Sequence, residues 1–226
     1  MIIPWDQVKF NNPKGFVVLE GLNGSGKSSL SSSICESIKN YNKLACKTFE
    51  PGATELGHSI RQLVLGQTSK EKSLTPLAEL LLFTADRNLH VEQVIRPALS
   101  RKEIVVCDRF FYSTLAFQGY GRGYPLAQIE QLTELAVKDL RPDIIILLDL
   151  PPELGLRRTK SRSSTDVAAL DSFESEELSF HKRLRDGFLE IAKTRPEPFV
   201  VLDATQSIEI IREQGLAIIK ELVKSL

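Results

Sequence analysis

The residues with the most legible chemistry are Gly21-Leu22-Asn23-Gly24-Ser25-Gly26-Lys27-Ser28, which satisfy Gly-x-x-x-x-Gly-Lys-Ser/Thr in full. Glycines at these spacings let the backbone curl until successive N–H groups face one anion. The apolar run Phe16 to Leu19 precedes the loop, and helix-compatible sequence from Lys27 to about Asn40 follows it. A phosphate held there also meets the positive end of that helix, whose first turn includes Ser29. Lys27 is placed to reach the β- and γ-phosphates of a nucleotide, and the Ser28 hydroxyl to ligate magnesium.

What such a loop serves depends on the rest of the chain. A guanine-reading Asn-Lys-x-Asp is absent, since Asn42-Lys43-Leu44-Ala45 has no aspartate. Two apolar runs end in Asp108-Arg109 and Asp149-Leu150, and neither carries the Asp-Glu pair of a motor ATPase. An arginine directly after a strand-end carboxylate suits a second phosphate, because a guanidinium fork matches phosphate oxygens. This pattern favours a kinase whose acceptor is itself phosphorylated.

The elements that must position these groups are readable from periodicity. Short apolar runs at Phe16 to Leu19, Ile104 to Cys107, Ile144 to Leu148 and Phe199 to Leu202 predict buried strands, with a weaker one at Leu44 to Phe49. Helical spacing marks Leu77 to about Leu99, Ile129 to Leu140, Phe180 to Ile191 and Ile208 to Leu226. Strands alternating with helices predict a three-layer α/β fold, a parallel sheet of about five strands flanked by helices. Residues 15–226 read as one domain behind an irregular extension, 1–14. The polar stretch at about 160–172, with Ser161, Arg162, Ser163, Ser164 and Thr165, reads as a mobile lid.

Composition narrows the class further. Lysine plus arginine and aspartate plus glutamate both total 29, so no basic excess argues for nucleic acid as a partner. No apolar stretch approaches the roughly 18 residues of a membrane span. The cysteines, Cys35, Cys46 and Cys107, are three in number and far apart, which predicts reduced thiols in a cytoplasmic protein and no zinc site.

Several blocks, in order, resemble the thymidylate kinase family of P-loop nucleoside monophosphate kinases. They are Glu20 to Ser28, Glu50-Pro51-Gly52-Ala53-Thr54, Leu81 to Arg87, Asp108-Arg109-Phe110, Ser113 to Gly123, Arg141-Pro142-Asp143 and Asp203-Ala204-Thr205. The likeness runs from Phe16 onward and implies transfer of the γ-phosphoryl group of ATP to dTMP, giving dTDP and ADP for dTTP synthesis, with Mg2+. It implies that Phe83 stacks on thymine and that Arg87 binds the base and monophosphate side; residues one helical turn apart share a face. It implies that Arg109 grips the acceptor phosphate, that Asp108 helps order the metal, and that Phe117 lies by the deoxyribose. Glu50, Ser113 and Gln118 complete the implied substrate site, and a homodimer is implied too. The loop holds no arginine, so by resemblance the lid supplies the catalytic cation. Arg158 and Arg162 are the candidates, with Arg157 beside the ATP.

The chain departs from the family pattern twice. Phe49 stands where an arginine usually precedes Glu-Pro-Gly, and Ser172 stands where the lid usually has one. Arg61 and Arg122 are nearby cations that could compensate. The departures leave open a kinase for another deoxynucleotide or deoxynucleoside, or a weakly catalytic nucleotide-binding paralogue.

Overall fold

A computed structural model describes residues 2–66, 74–163, 173–174 and 176–226, with backbone alone at 162 and 163. Five strands, β1 (Phe16–Gly21), β2 (Ala45–Phe49), β3 (Ile104–Asp108), β4 (Ile144–Asp149) and β5 (Phe199–Asp203), pair in parallel in the order β2-β3-β1-β4-β5. β1 is buried along its whole length, as expected of a central strand covered on both faces.

Alternation along the strands divides the core in two. Phe16, Val18, Val105, Cys107, Ile145 and Leu147 face one layer of helices. It comprises α3 (Pro76–His90), α4 (Arg96–Ser100), α5 (Phe111–Thr114), α6 (Leu126–Val137) and α8 (Leu178–Thr194). Val17, Leu19, Val106, Ile144, Ile146 and Leu148 face α1 (Lys27–Lys39) and α9 (Ile208–Ser225). Outside these lie α2 (Glu55–Leu65), packed on α3, and α7 (Pro152–Ser163), packed on α8. The arrangement is the expected three-layer α/β fold.

The strands run one or two residues past their apolar cores into Gly21, Asp108, Asp149 and Asp203. Ladder register carries them: Leu19 lies opposite Asp108, and Glu20 opposite Leu147. The predicted helix through Leu99 is one helical run in three pieces, α3, a π-type turn at Val91–Ile95, and α4. Pro97 has no N–H to donate, and the wider turn lies just ahead of it. The start of β1 is anchored by Asp143, whose Oδ2 accepts from the N–H groups of Gly15 and Phe16, both at 2.7 Å. The extension before β1 carries a 3-10 turn at Trp5–Gln7, and the Ile3 N–H donates to Phe199 O at 2.7 Å.

Candidate active site

The site lies at the carboxyl ends of the strands, where open parallel sheets present their crevices. The loop from Gly21 to Gly26 leaves β1 and enters α1. Its curl needs left-handed backbone at Gly21, Gly24 and Gly26, with φ of 135°, 78° and 99°. Space forbids a side chain at Gly24 as well, because a Cβ there would lie 2.6 Å from Gly155 O of α7. Lys27 is buried, and its Nζ donates to the carbonyls of Gly21 (3.1 Å) and Leu22 (3.0 Å), so the ammonium lies within the curl. Leu22 contributes backbone alone, since its side chain is buried in the core. Ser25 is buried, while Ser28 and Ser29 open onto the cavity described below.

β3 delivers the next groups. Ser28 Oγ donates to Asp108 Oδ2 at 2.8 Å, so a hydroxyl and a carboxylate converge at the loop's edge. Arg109 adopts φ +73°, uncommon for a residue with a side chain and a conformation that concentrates at functional sites. Its Nη1 donates to Gly21 O and Ser113 Oγ, both at 3.0 Å, and its Nη2 to Asn23 Oδ1 at 2.5 Å. The guanidinium also lies 5.1 Å from the Phe117 ring centroid, so one arginine joins the phosphate loop to the aromatic wall.

Glu20 explains how that turn is held. It is fully buried, and Oε1 accepts from the N–H groups of Phe110 and Ser113, both at 3.0 Å. Ser113 Oγ donates to Oε2 at 2.6 Å. Burial raises the Glu20 pKa, against the opposing pull of Arg109 and the Ser113 hydroxyl.

A second buried network lies beside Arg87, which lines the cavity described below. Glu50, just after β2, accepts from Arg87 Nε through Oε2 and from His90 Nδ1 through Oε1, both at 2.9 Å. His90 Nε2 lies 2.7 Å from Thr48 Oγ1, and Arg87 Nη2 donates to Thr114 Oγ1 at 2.9 Å. Glu50 lines the cavity, and its carboxylate is engaged by Arg87 and His90. Asp86 lies alongside and accepts from the Gly52 N–H at 3.0 Å; burial, then the charge of Glu50, push its pKa up to about 6.

These elements enclose one cavity of about 350 Å3, within the size range of small-molecule sites. Lys27, Ser28, Ser29, Asp108 and Arg109 line one part of it, and Phe83, Arg87, Ser113, Phe117 and Gln118 another. Gln118 Nε2 donates to Glu79 Oε1 at 2.9 Å, which fixes the amide. Phe173 and Glu174 also line the cavity, with the Phe173 ring 5.0 Å from Phe117 and Asn23 Nδ2 donating to Glu174 at 3.2 Å.

The cations expected to serve a lid divide. Arg158 Nη1 donates to Gly24 O (3.3 Å) and Ala204 O (3.2 Å), which ties α7 to the phosphate loop. Arg157 is exposed, and neither it nor Arg158 lines the cavity. The Arg162 side chain and Ser172 lie outside the described residues. Of the two compensating cations, Arg61 lines the cavity, whereas Arg122 is paired with Glu79 and Glu176.

Sequence reading alone missed Glu20, Thr114, His90 and the carboxylate of Glu174. A signal existed for Glu20, an acid at the end of an otherwise apolar strand. Thr114 and Glu174 lie within or beside blocks that resemble the family, without a role assigned to them, and His90 had no signal, since its partner Glu50 is 40 positions away.

Among the described residues no cluster of His, Cys, Asp and Glu forms a metal cage, and no helix is long and apolar enough to cross a membrane. The Ser28–Asp108 pair offers oxygen donors only, which fits Mg2+, an ion that keeps water and phosphate oxygens as its remaining ligands.

Comparison with known proteins agrees with this geometry. The family model described as thymidylate kinase matches residues 19–214. A thymidylate kinase of Solidesulfovibrio magneticus is 40% identical over 210 residues, covering 92% of this chain and 100% of the relative. One from Exiguobacterium is 43% identical over 201 residues, covering 89% and 92% respectively. The crystal structure of thymidylate kinase from Ehrlichia chaffeensis superposes with a TM-score of 0.68 at 34% identity, covering 88% of this chain and 97% of that one. With its phosphate loop, Asp108-Arg109 turn and aromatic residues in one cavity, and with these relatives, the chain belongs to the thymidylate kinase family.

Proposed function

We propose that the protein transfers the γ-phosphoryl group of ATP to dTMP, releasing dTDP and ADP. The observation that carries this is the continuity of the cavity, in which a phosphate loop and an aromatic pocket with a buried arginine share Arg109 as their common wall.

In this reading the triphosphate lies on the loop N–H groups, with Lys27 at its β- and γ-phosphates. Thymine stacks on Phe83, faces Arg87 and is read by Gln118, while Phe117 packs at the deoxyribose. Arg109, braced by Ser113, holds the acceptor phosphate. One P–O bond to the leaving ADP breaks and one forms to an oxygen of dTMP. That oxygen is already ionised, so no general base is required, and catalysis is positioning and charge stabilisation. Ser28 and Asp108 would hold Mg2+, which neutralises phosphate charge when bound. Arg162 and Arg158 are the lid's candidate cations for the migrating group, and lid closure excludes water.

The same reading makes the protein a cytoplasmic homodimer. Exposed leucines support a pairing face: Leu56 and Leu63 on α2, Leu77 and Leu81 on α3, and Leu135 on α6, three helices packed in sequence.

The test is ADP release with ATP and Mg2+, offering dTMP, dUMP, dCMP, dGMP and thymidine in parallel. Selective turnover of dTMP, reduced at least about 100-fold in Arg109→Ala, is the expected result. Turnover of another acceptor in preference to dTMP would refute the thymine assignment.

A further inference from the structure

Apart from the site's cavity, the described residues enclose another of about 290 Å3, whose walls include Phe111, Tyr112, Glu130, Arg141, Arg195 and Glu197. It lies by the amino ends of β4 and β5, which Arg141 and Glu197 precede, whereas the phosphate loop follows the carboxyl end of β1. The two cavities share α5, in which Ser113 lines the first and Tyr112, its neighbour, lines the second. Ser113 is held from the site's side: its N–H and hydroxyl donate to Glu20, and its Oγ accepts from Arg109 Nη1 at 3.0 Å. Tyr112 is held from the other side. It is buried, its ring centroid lies 4.4 Å from that of Phe111 and 5.2 Å from that of Phe199, and its hydroxyl donates to Glu197 Oε2. Burial, then the Glu197 carboxylate, raise the Tyr112 pKa, so the hydroxyl keeps its proton and remains a donor. Glu197 is braced in turn, with Oε1 3.3 Å from Arg141 Nε. Arg141 donates to Glu134 Oε2 at 2.6 Å and to the carbonyls of Lys138 (2.8 Å) and Leu140 (2.9 Å).

We infer that Tyr112 and Glu197 are positioning residues for the acceptor phosphate, acting through Ser113 on Arg109. The inference rests on the proposed function, in which Arg109 holds that phosphate. α5 has four residues before the backbone widens into a π-type turn at Leu115–Gly121, so it has few hydrogen bonds of its own to fix its rotation. Side-chain anchors set that rotation instead, Glu20 from the first cavity and Glu197 from the second. Turning α5 moves Ser113 Oγ relative to the Arg109 guanidinium, and a shift of about 1 Å in a group that positions substrate is enough to be felt. The packed ring would hold α5 in place without its hydroxyl; the hydroxyl, tied to a braced carboxylate, fixes the angle at which it sits.

The test measures KM for dTMP, KM for ATP, kcat and urea midpoints for the wild-type protein, Tyr112→Phe, Glu197→Gln, Glu197→Ala and Tyr112→Phe combined with Glu197→Ala. Tyr112→Phe keeps the ring packing and removes the hydroxyl alone. It is expected to raise KM for dTMP about 3- to 10-fold, as loss of one buried hydrogen bond allows, with KM for ATP within about twofold. Glu197→Gln keeps an acceptor for the hydroxyl and should stay within about twofold of the wild-type protein, whereas Glu197→Ala should match Tyr112→Phe. The combined variant should be no worse than either single one, because both break the same contact. An unchanged KM for dTMP in Tyr112→Phe, with or without a lower urea midpoint, overturns the inference, as do equal rises in both KM values. Either result leaves the proposed function standing. Failure of the wild-type protein to turn over dTMP removes the proposed function and this inference with it.

Discussion

Glu50→Ala should unfold the protein more readily than any single loss of surface charge. Glu50 and Arg87 bury their side chains to 4% and 2% exposure, and they meet at 2.8 Å. Removing one member of a buried ion pair leaves the other uncompensated, which costs about 3–5 kcal/mol. Arg87 keeps Thr114 Oγ1 and Phe110 O as acceptors, so its donors are partly satisfied. His90 loses its carboxylate as well, which pushes the other way. The lower half of the range, about 3–4 kcal/mol, is therefore expected, or roughly two to three orders of magnitude in the unfolding equilibrium. Against a total of about 5–15 kcal/mol this is large but survivable. Urea unfolding of the wild-type protein, Glu50→Ala, Arg87→Ala and the double variant would measure the coupling between the two side chains. The double variant should be less destabilised than the sum of the singles, because it no longer buries an orphan charge. A Glu50→Ala cost below about 1 kcal/mol, or strict additivity, would refute the assignment of Glu50 as the support of Arg87.

Other outcomes follow from the same contacts. The raised Asp86 pKa, about 6, means that between roughly pH 4 and pH 6 the native state holds a proton the unfolded chain has lost. This group's contribution to stability therefore falls as pH rises through that window and levels off above it. Asp86→Asn should become more stable relative to the wild-type protein on going from pH 4 to pH 7, and a pH-independent difference in urea midpoints would contradict this. In Gly24→Ala, a Cβ 2.6 Å from Gly155 O on a left-handed backbone must shift the loop against α7. ATP affinity is expected to fall at least about tenfold with dTMP affinity within about twofold, measured by separate titrations.

How much of this was legible in the sequence depends on the distance between partners. The phosphate loop was readable because its function depends on consecutive backbone N–H groups and a helix start, all encoded within Gly21 to Ser28. Phe83 and Arg87 share a cavity because a helix fixes residues four apart on one face. Four of the strands were read short by a residue or two because glycine and aspartate are poor strand formers, and only pairing across the sheet extends the ladders over them, whereas β2 was read one residue long. Contacts between distant segments were not legible. Glu20 and Ser113 are 93 positions apart, and Glu50 and His90 are 40 apart. No periodicity links such pairs. Leu22 shows the converse, a residue inside a functional motif whose side chain serves the core.

The placement of buried charge argues that the fold is organised around the cavity more than around its own stability. Glu20, Lys27, Glu50, Arg87 and His90 are all buried, and each contacts a residue that lines the cavity or lines it directly. Burying a charge is unfavourable unless partners compensate, and apolar residues of similar volume often serve stability as well or better. Elsewhere in the chain the ion pairs are more exposed, as with Lys224–Glu221 and Arg96–Asp139, where desolvation costs little. A protein that concentrates its most expensive groups at one end of its sheet is using them to hold geometry. Glu20 fixes the Phe110–Ser113 turn that bears on Arg109, and Glu50 fixes Arg87 at the aromatic wall. For phosphoryl transfer, where catalysis is chiefly positioning, that is where rigidity has its effect.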